Sequence, residues 1–316
     1  MGKRTCLSNA ADIAKAAALI RAGELVAFPT ETVYGLGANA LDPAAIEKIY
    51  AAKGRPAESP LIVHVDSVEM ARSLAREWPA KADALARRFW PGPLTLVLPK
   101  RPHVPDRLTA GLDTVGVRIP SNSIALALIH EAGVPIAAPS ANVFAKISPT
   151  NAHHVREAMG DHVAMVLDGG ATAVGIESTV LSLAGVDAVL LRPGMVTQQQ
   201  IEEAIGPIQL AISTGESAHR SPGMHRRHYS PATPLVLVED GKLPSGGCGA
   251  YLWIRQSADA ALSIQMSGDP NAYAAKLYAA LHDADAQHFD WIAVEKPPQD
   301  PAWAAILDRL ERAAAR

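Results

Sequence analysis

The chain is poor in cysteine, in aromatic residues and in long apolar runs. Cys6 and Cys248 are its only cysteines. They fall in different halves of the chain, so neither a disulfide framework nor a zinc site is expected. Phe, Trp and Tyr make up 5% of the 316 residues, too few for the interleaved platforms on which single-stranded nucleic acid stacks. No apolar run reaches about 18 residues, which excludes a membrane-spanning helix. The stretch from Met1 to Asp12 holds no secretory apolar segment, so a cytoplasmic location is expected, with no membrane partner. The net charge is −3, opposite in sign to that of a domain built for non-specific nucleic-acid binding. The chain also lacks internal repeats, a G-x-x-x-x-G-K-[ST] phosphate loop and a Ser-His-Asp order.

What remains is a globular composition, 48% hydrophobic and 19% charged, long enough for one large or two ordinary domains. Residues 24–65 are the most informative. Glu24 to Phe28 reads as a buried strand. A loop of hydroxyls and glycine follows from Thr30 to Gly37. Asp42-Pro43 signals a helix start, and Lys53-Gly54-Arg55-Pro56 ends that helix. Leu61 to Val65 is the next strand. Gly35-Leu-Gly37-Ala-Asn-Ala40 matches G-x-G-x-x-A, yet Gly35 lies too far beyond the strand and no acid ends the next one, so a dinucleotide site is rejected. Lys53 and Arg55 are read either as cations favoured at a helix C-terminus or as an anion clamp for a polyphosphate.

Further strands are expected at 94–98, 114–119, 134–138, 163–167, 178–183 and 188–191. Helices are expected at 9–21, 66–78, 80–89, 123–131, 148–160 and 197–206, the second of these starts being an Asp66-Ser-Val-Glu69 capping box. Residues 99–113 read as loop. Arg118, in an apolar strand, needs a partner, either a core acid or a ligand carboxylate. His64 is read equally as a satisfied core histidine. Residues 207–233 form a linker with His219, Arg220, His225, Arg226, Arg227 and His228. The solvated basic linker is the plain reading, and His225-x-x-His228 is a poor metal signal. Residues 234–316 alternate strand and helix, which predicts a small parallel sheet.

PTETVYGLG, then KGRP, then SPLIVHV, with Ser140-Ala-Asn142 later, resembles the YrdC-type threonylcarbamoyl-AMP synthases in their long, two-domain form. The resemblance implies an α/β fold. A YrdC-like twisted open mixed sheet would occupy residues 1–206. An arm over the active site would occupy 207–233, and a small Rossmann-like accessory domain 234–316. It implies a nucleotidyltransferase that joins L-threonine, bicarbonate or CO2, and ATP into threonylcarbamoyl-AMP and pyrophosphate. That is the first step of N6-threonylcarbamoyladenosine formation next to the tRNA anticodon. Lys53 and Arg55 are the implied catalytic cations. The implied ATP contacts are Lys53, Arg55, Ser59, Thr114, Ser140, Asn142, Ser148, Arg192 and Tyr229. Those to threonine are Thr32, His64, Arg118, Ala138 and Ser178. His228 is an alternative to Tyr229. Mg2+ is expected with ATP, its protein ligands unnamed, with Glu31, Asp168 and Glu177 as nearby acids. The implied partners are downstream tRNA threonylcarbamoyl-transfer proteins, and direct tRNA contact is left open. The competing readings are an RNA-binding module and a YrdC-like paralogue without synthase activity. A hydrogenase-maturation carbamoyltransferase is disfavoured by the shortage of cysteines.

Overall fold

A computed structural model describes residues 7–56, 58–211, 228–239 and 241–315. Their strands form two sheets. The larger contains β1 (Val26–Phe28), β2 (Gly35–Asn39), β3 (Ile62–His64), β4 (Leu94–Pro99), β5 (Thr114–Arg118), β6 (Ile136–Ala137), β7 (Met165–Val166), β8 (Thr179–Ser182), β9 (Val189–Arg192) and β10 (Gln209–Leu210). This ten-stranded sheet runs in the order β10-β9-β8-β4-β5-β3-β6-β2-β1-β7. It is mixed: β3 is parallel to β5 and antiparallel to β6. The smaller sheet contains β11 (Leu235–Val238), β12 (Gly249–Trp253), β13 (Leu262–Gln265) and β14 (Trp291–Glu295) in the order β11-β14-β12-β13. All its pairings are parallel, and the helix Pro270–Asp285 provides the crossover from β13 to β14. The expected α/β architecture is present. No helix among the described residues is long and apolar enough to cross a membrane.

Alternation along the central strands decides which side carries the site. Leu61, Val63 and Val65 enter the main core, as do Val115 and Val117. Ile62 and His64, and Gly116 and Arg118, therefore share the opposite face. The helix Pro43–Lys53 brings the first cations to that face. Asp42 caps it by accepting from Ala44 N–H, and Ile46, Ile49 and Tyr50 anchor it in the core. Gly54 ends it in the left-handed region at φ 57°. That turn sends Lys53 and Arg55 in different directions.

Several expectations need correction. The hydroxyl-rich loop stops at Tyr34, because Gly35–Asn39 is a strand antiparallel to β1. Its glycines are needed for close approach: a Cβ on Gly37 would stand 2.8 Å from the Phe28 ring. Ser67, rather than Asp66, caps the helix Val68–Leu74 by accepting from Met70 N–H. Asn151 caps the helix Ala152–Met159, so Ser148 lies before it. A short helix, Asp106–Thr109, interrupts the expected loop at 99–113, and β10 and β13 are additional strands. Cys6, His219, Arg220, His225, Arg226 and Arg227 lie outside the described residues.

Candidate active site

A cavity of about 540 Å3, solvent-open space included, lies on the face that His64 and Arg118 share. These two are register partners on β3 and β5. Arg118 is 3% exposed. Its Nη1 donates to Thr32 Oγ1 at 3.0 Å, and its Nη2 lies 2.6 Å from Glu31 Oε2. That ion pair is close but not aligned as a hydrogen bond. Among the described residues, Arg118 Nε and Nη2 and both Glu31 oxygens have no hydrogen-bond partner. Both readings of Arg118 stay open: it has a core acid in Glu31, and its side chain lines the cavity. His64 is also buried, with Nδ1 unbonded and the Phe28 ring edge-on at 6.0 Å. Burial first, then the Arg118 charge, pushes its pKa well below the usual histidine range. The ring is therefore neutral at physiological pH.

Three further cations gather beside it. Lys53 is 1% exposed and donates to Ser140 O at 2.6 Å and Asn142 O at 2.5 Å. It fastens the S-x-N segment from behind. Burial and then Arg55 lower its pKa well below the lysine range. Arg55 donates from Nη2 to Pro60 O at 3.1 Å and lines the cavity. Burial brings its pKa down to about 10, so it stays charged at pH 7. Arg192 donates to Ser178 O at 3.1 Å and to Ser178 Oγ at 3.2 Å, and burial lowers its pKa too. Concentrated, desolvated positive charge of this kind is what a polyphosphate would neutralise.

The arm closes the top. Ser230 N–H donates to Ala145 O, and Asp285 accepts from Ala232 and Thr233 N–H at 2.9 and 2.8 Å. Pinned to both sheets in this way, the arm places His228 and Tyr229 in the cavity lining. Tyr229 has φ 62°, a left-handed conformation uncommon for a bulky residue, and it is 1% exposed. Its ring stacks on Tyr278 at 5.9 Å and lies 5.1 Å from the Arg309 guanidinium. Burial raises the pKa of its hydroxyl. Below it, Glu177 accepts from Ser148 Oγ (2.6 Å), Tyr278 OH (3.0 Å) and Arg309 Nε (2.8 Å). Burial alone would raise its pKa, but Arg309, Arg192 and these hydrogen bonds hold it below the usual carboxylate range.

Of the residues singled out in the sequence, Thr32, Arg55, His64, Arg118, Ala138, Ser140, Ser178, Arg192 and Tyr229 line this cavity. Lys53, Ser59, Thr114, Asn142 and Ser148 do not. Lys53 and Asn142 form the backing of the Ser140 loop, and Ser148 is held by Glu177. Ser59 is buried beneath Tyr50, whose hydroxyl donates to Ser59 O. Thr114 stands at the opposite end of β5 from Arg118. Thr30, Gly35, Ile62, Glu177 and His228 also line the cavity. Thr30 and Gly35 lie inside the PTETVYGLG stretch, where the signal was available. Glu177 and its partner Arg309 stand 132 positions apart, and no local pattern could pair them.

The family described as telomere recombination, Sua5/YciO/YrdC, matches residues 18–194. The C-terminal domain of threonylcarbamoyl-AMP synthase matches residues 196–315. A protein from Bacillus subtilis strain 168 named threonylcarbamoyl-AMP synthase is 45% identical, over 97% of this chain and 94% of its own. The chain belongs to the two-domain threonylcarbamoyl-AMP synthase family. Another member, from Pyrococcus abyssi, is 44% identical over 94% of this chain and 92% of its own. The crystal structure of P. abyssi Sua5 complexed with L-threonine superposes with a TM-score of 0.89 at 43% identity, covering 96% of this chain and 94% of that one. As a member of this family the chain is an enzyme; the first match spans β1 to β9 of the larger sheet, and the second spans β10 and the smaller sheet.

Proposed function

We propose that the protein condenses L-threonine, bicarbonate or CO2, and ATP into threonylcarbamoyl-AMP and pyrophosphate, as the first step of N6-threonylcarbamoyladenosine formation in tRNA, in the cytoplasm. One observation carries this reading. Arg118 is a buried guanidinium in the cavity lining, beside Thr32, His64 and Ser178, and a guanidinium fork matches a carboxylate. Thr32, Ser178, His64 and the Ala138 backbone surround the place where the rest of threonine would lie.

The chemistry needs no protein nucleophile. The threonine nitrogen adds to the carbon of CO2 and loses a proton, giving a carbamate. A carbamate oxygen then attacks the α-phosphorus of ATP, and the bond to the β-phosphate oxygen breaks as pyrophosphate leaves. Positioning and charge neutralisation suffice for such a step. Arg55 and Arg192 face the cavity and take the phosphates in this proposal. Lys53 acts chiefly by holding Ser140 and Asn142 in place. Ser140 and Tyr229 meet the nucleotide, with Ser59, Thr114, Asn142 and Ser148 in the structure around it.

Mg2+ would arrive with the triphosphate. Among the described residues no group of three His, Cys, Asp or Glu side chains could hold a metal. The nearby acids already face cations: Glu31 faces Arg118, Asp168 faces Arg156 and Glu177 faces Arg309. That arrangement suits a cation bound mainly by phosphate oxygens.

The test is pyrophosphate release from ATP, with threonine and bicarbonate withheld singly and serine substituted for threonine. Release that requires both co-substrates is expected. ATP binding without such release would replace this reading with a paralogue lacking synthase activity, and salt-sensitive RNA binding in its place would indicate a nucleic-acid module. Transfer of the product to tRNA by partner proteins is the corresponding expectation downstream.

A further inference from the structure

Among the described residues of the smaller sheet's unit, no group of three or more His, Cys, Asp or Glu side chains could hold a metal ion. At the carboxyl end of β12, where open parallel sheets bind ligands, the backbone N–H groups of Ile254 and Arg255 are already taken by Glu295 at 2.7 and 2.9 Å. Yet the last helix, Ala304–Ala314, sends one arginine out of this unit and into the wall of the other. Arg309 has a fully buried side chain. Its Nε donates to Glu177 Oε2 at 2.8 Å, and its Nη2 donates to Pro193 O at 3.1 Å. Its Nη1 donates to Asp308 Oδ2 at 2.5 Å, and its plane faces the Tyr229 ring. Glu177 precedes Ser178, and Pro193 follows Arg192. One guanidinium thus ties together the two segments that carry Ser178 and Arg192, which are themselves joined by hydrogen bonds.

We infer that Arg309 is a positioning residue for the reaction, so that the second sheet completes the catalytic cavity rather than accompanying it. The inference rests on the synthase reading above. Arg309 does not reach the cavity surface; it acts by fixing Arg192, Ser178 and Tyr229. A buried charge could serve stability alone, because removing one partner of a buried pair strands the other. Two features point beyond that. The guanidinium uses separate nitrogens on two loops and also faces the arm's tyrosine. Both loops end at residues that line the cavity.

The test compares wild type with Arg309→Lys, Arg309→Met, Glu177→Gln and the Glu177→Gln/Arg309→Met pair in the full chain. Folding is followed by thermal unfolding, and pyrophosphate release gives kcat and the KM for threonine and for ATP. Arg309→Met is expected to lower kcat by roughly tenfold to a hundredfold, the range for a small displacement of aligned groups. The threonine KM should move far less, because Arg118 is untouched. Arg309→Lys should recover part of the loss by restoring charge against Glu177 without the second bond to Pro193 O. Where Arg309→Met alone fails to fold, the double variant, which removes both members of the Glu177–Arg309 pair, is compared with Glu177→Gln, and a further fall in kcat is expected. A folded Arg309→Met with wild-type kcat, or a double variant equal to Glu177→Gln, overturns the inference. Absence of threonine-dependent release in wild type would instead count against the synthase reading itself.

Discussion

The two sides of the cavity differ in how their polar atoms are satisfied. On the floor, Arg118 Nε and Nη2, His64 Nδ1 and Arg55 Nε are buried without hydrogen bonds among the described residues. At the junction with the smaller sheet, Glu177 has both oxygens occupied and Arg309 donates from every nitrogen. Leaving a buried polar atom unbonded costs about 1–3 kcal/mol. The unbonded atoms of the floor are where a ligand would gain most. The closed wall holds geometry and the open wall binds.

This contrast can be broken by substitution. The largest stability effect is expected at the closed wall. Arg309→Ala strands Glu177 and should reduce unfolding stability in urea by about 3–5 kcal/mol; a loss below about 1 kcal/mol would make the junction dispensable. Next comes Arg118→Lys on the open wall. It keeps a charge against Glu31 but removes the fork. The threonine KM should rise roughly tenfold to a hundredfold, the worth of about 1.5–3 kcal/mol for hydrogen bonds to a charged group, with ATP affinity and melting temperature nearly unchanged. Gly54→Ala should cost about 1–2 kcal/mol of stability, because the left-handed turn that separates Lys53 from Arg55 resists a Cβ; equal stability would show that the turn relaxes.

Acid should act on the junction through a histidine pair. His154 stacks on His282 at 3.9 Å, and His282 Nε2 lies 3.2 Å from Ser148 O. Burial, with His282 and His153 nearby, holds the His154 pKa down to about 3. The unfolded chain takes up the proton first, near pH 6.5. The neutral pair's contribution is complete above that pH and is lost as pH falls towards 3. Urea midpoints measured from pH 7 to pH 4 should fall less in His154→Asn than in wild type, and parallel curves would exclude the pair.

The open wall was more legible in the sequence than the closed one. Thr32, Arg55, His64 and Ser140 sit within the short motifs that carry the family resemblance, and Arg118 stood out as a cation in an apolar strand that needs a partner. Lys53 was visible too, but not its direction, because that depends on Gly54 and on carbonyls more than eighty positions away. β2 was hidden by glycines that look like loop and serve as clearance for Phe28. Arg309 and Tyr278 were invisible for a different reason. An arginine and a tyrosine on helices of a small parallel unit read as ordinary surface or core residues, and only the docking of the two sheets gives them Glu177 as a partner.

The most direct measurement is calorimetric titration of the protein with L-threonine and with L-threoninol, the same molecule with its carboxylate reduced to an alcohol. If Arg118 takes the threonine carboxylate, threonine binds and threoninol binds weaker by roughly tenfold or more, with the difference largely lost in Arg118→Lys. Equal affinity for the two would contradict the account, because Arg118 would then serve only Glu31 and Thr32.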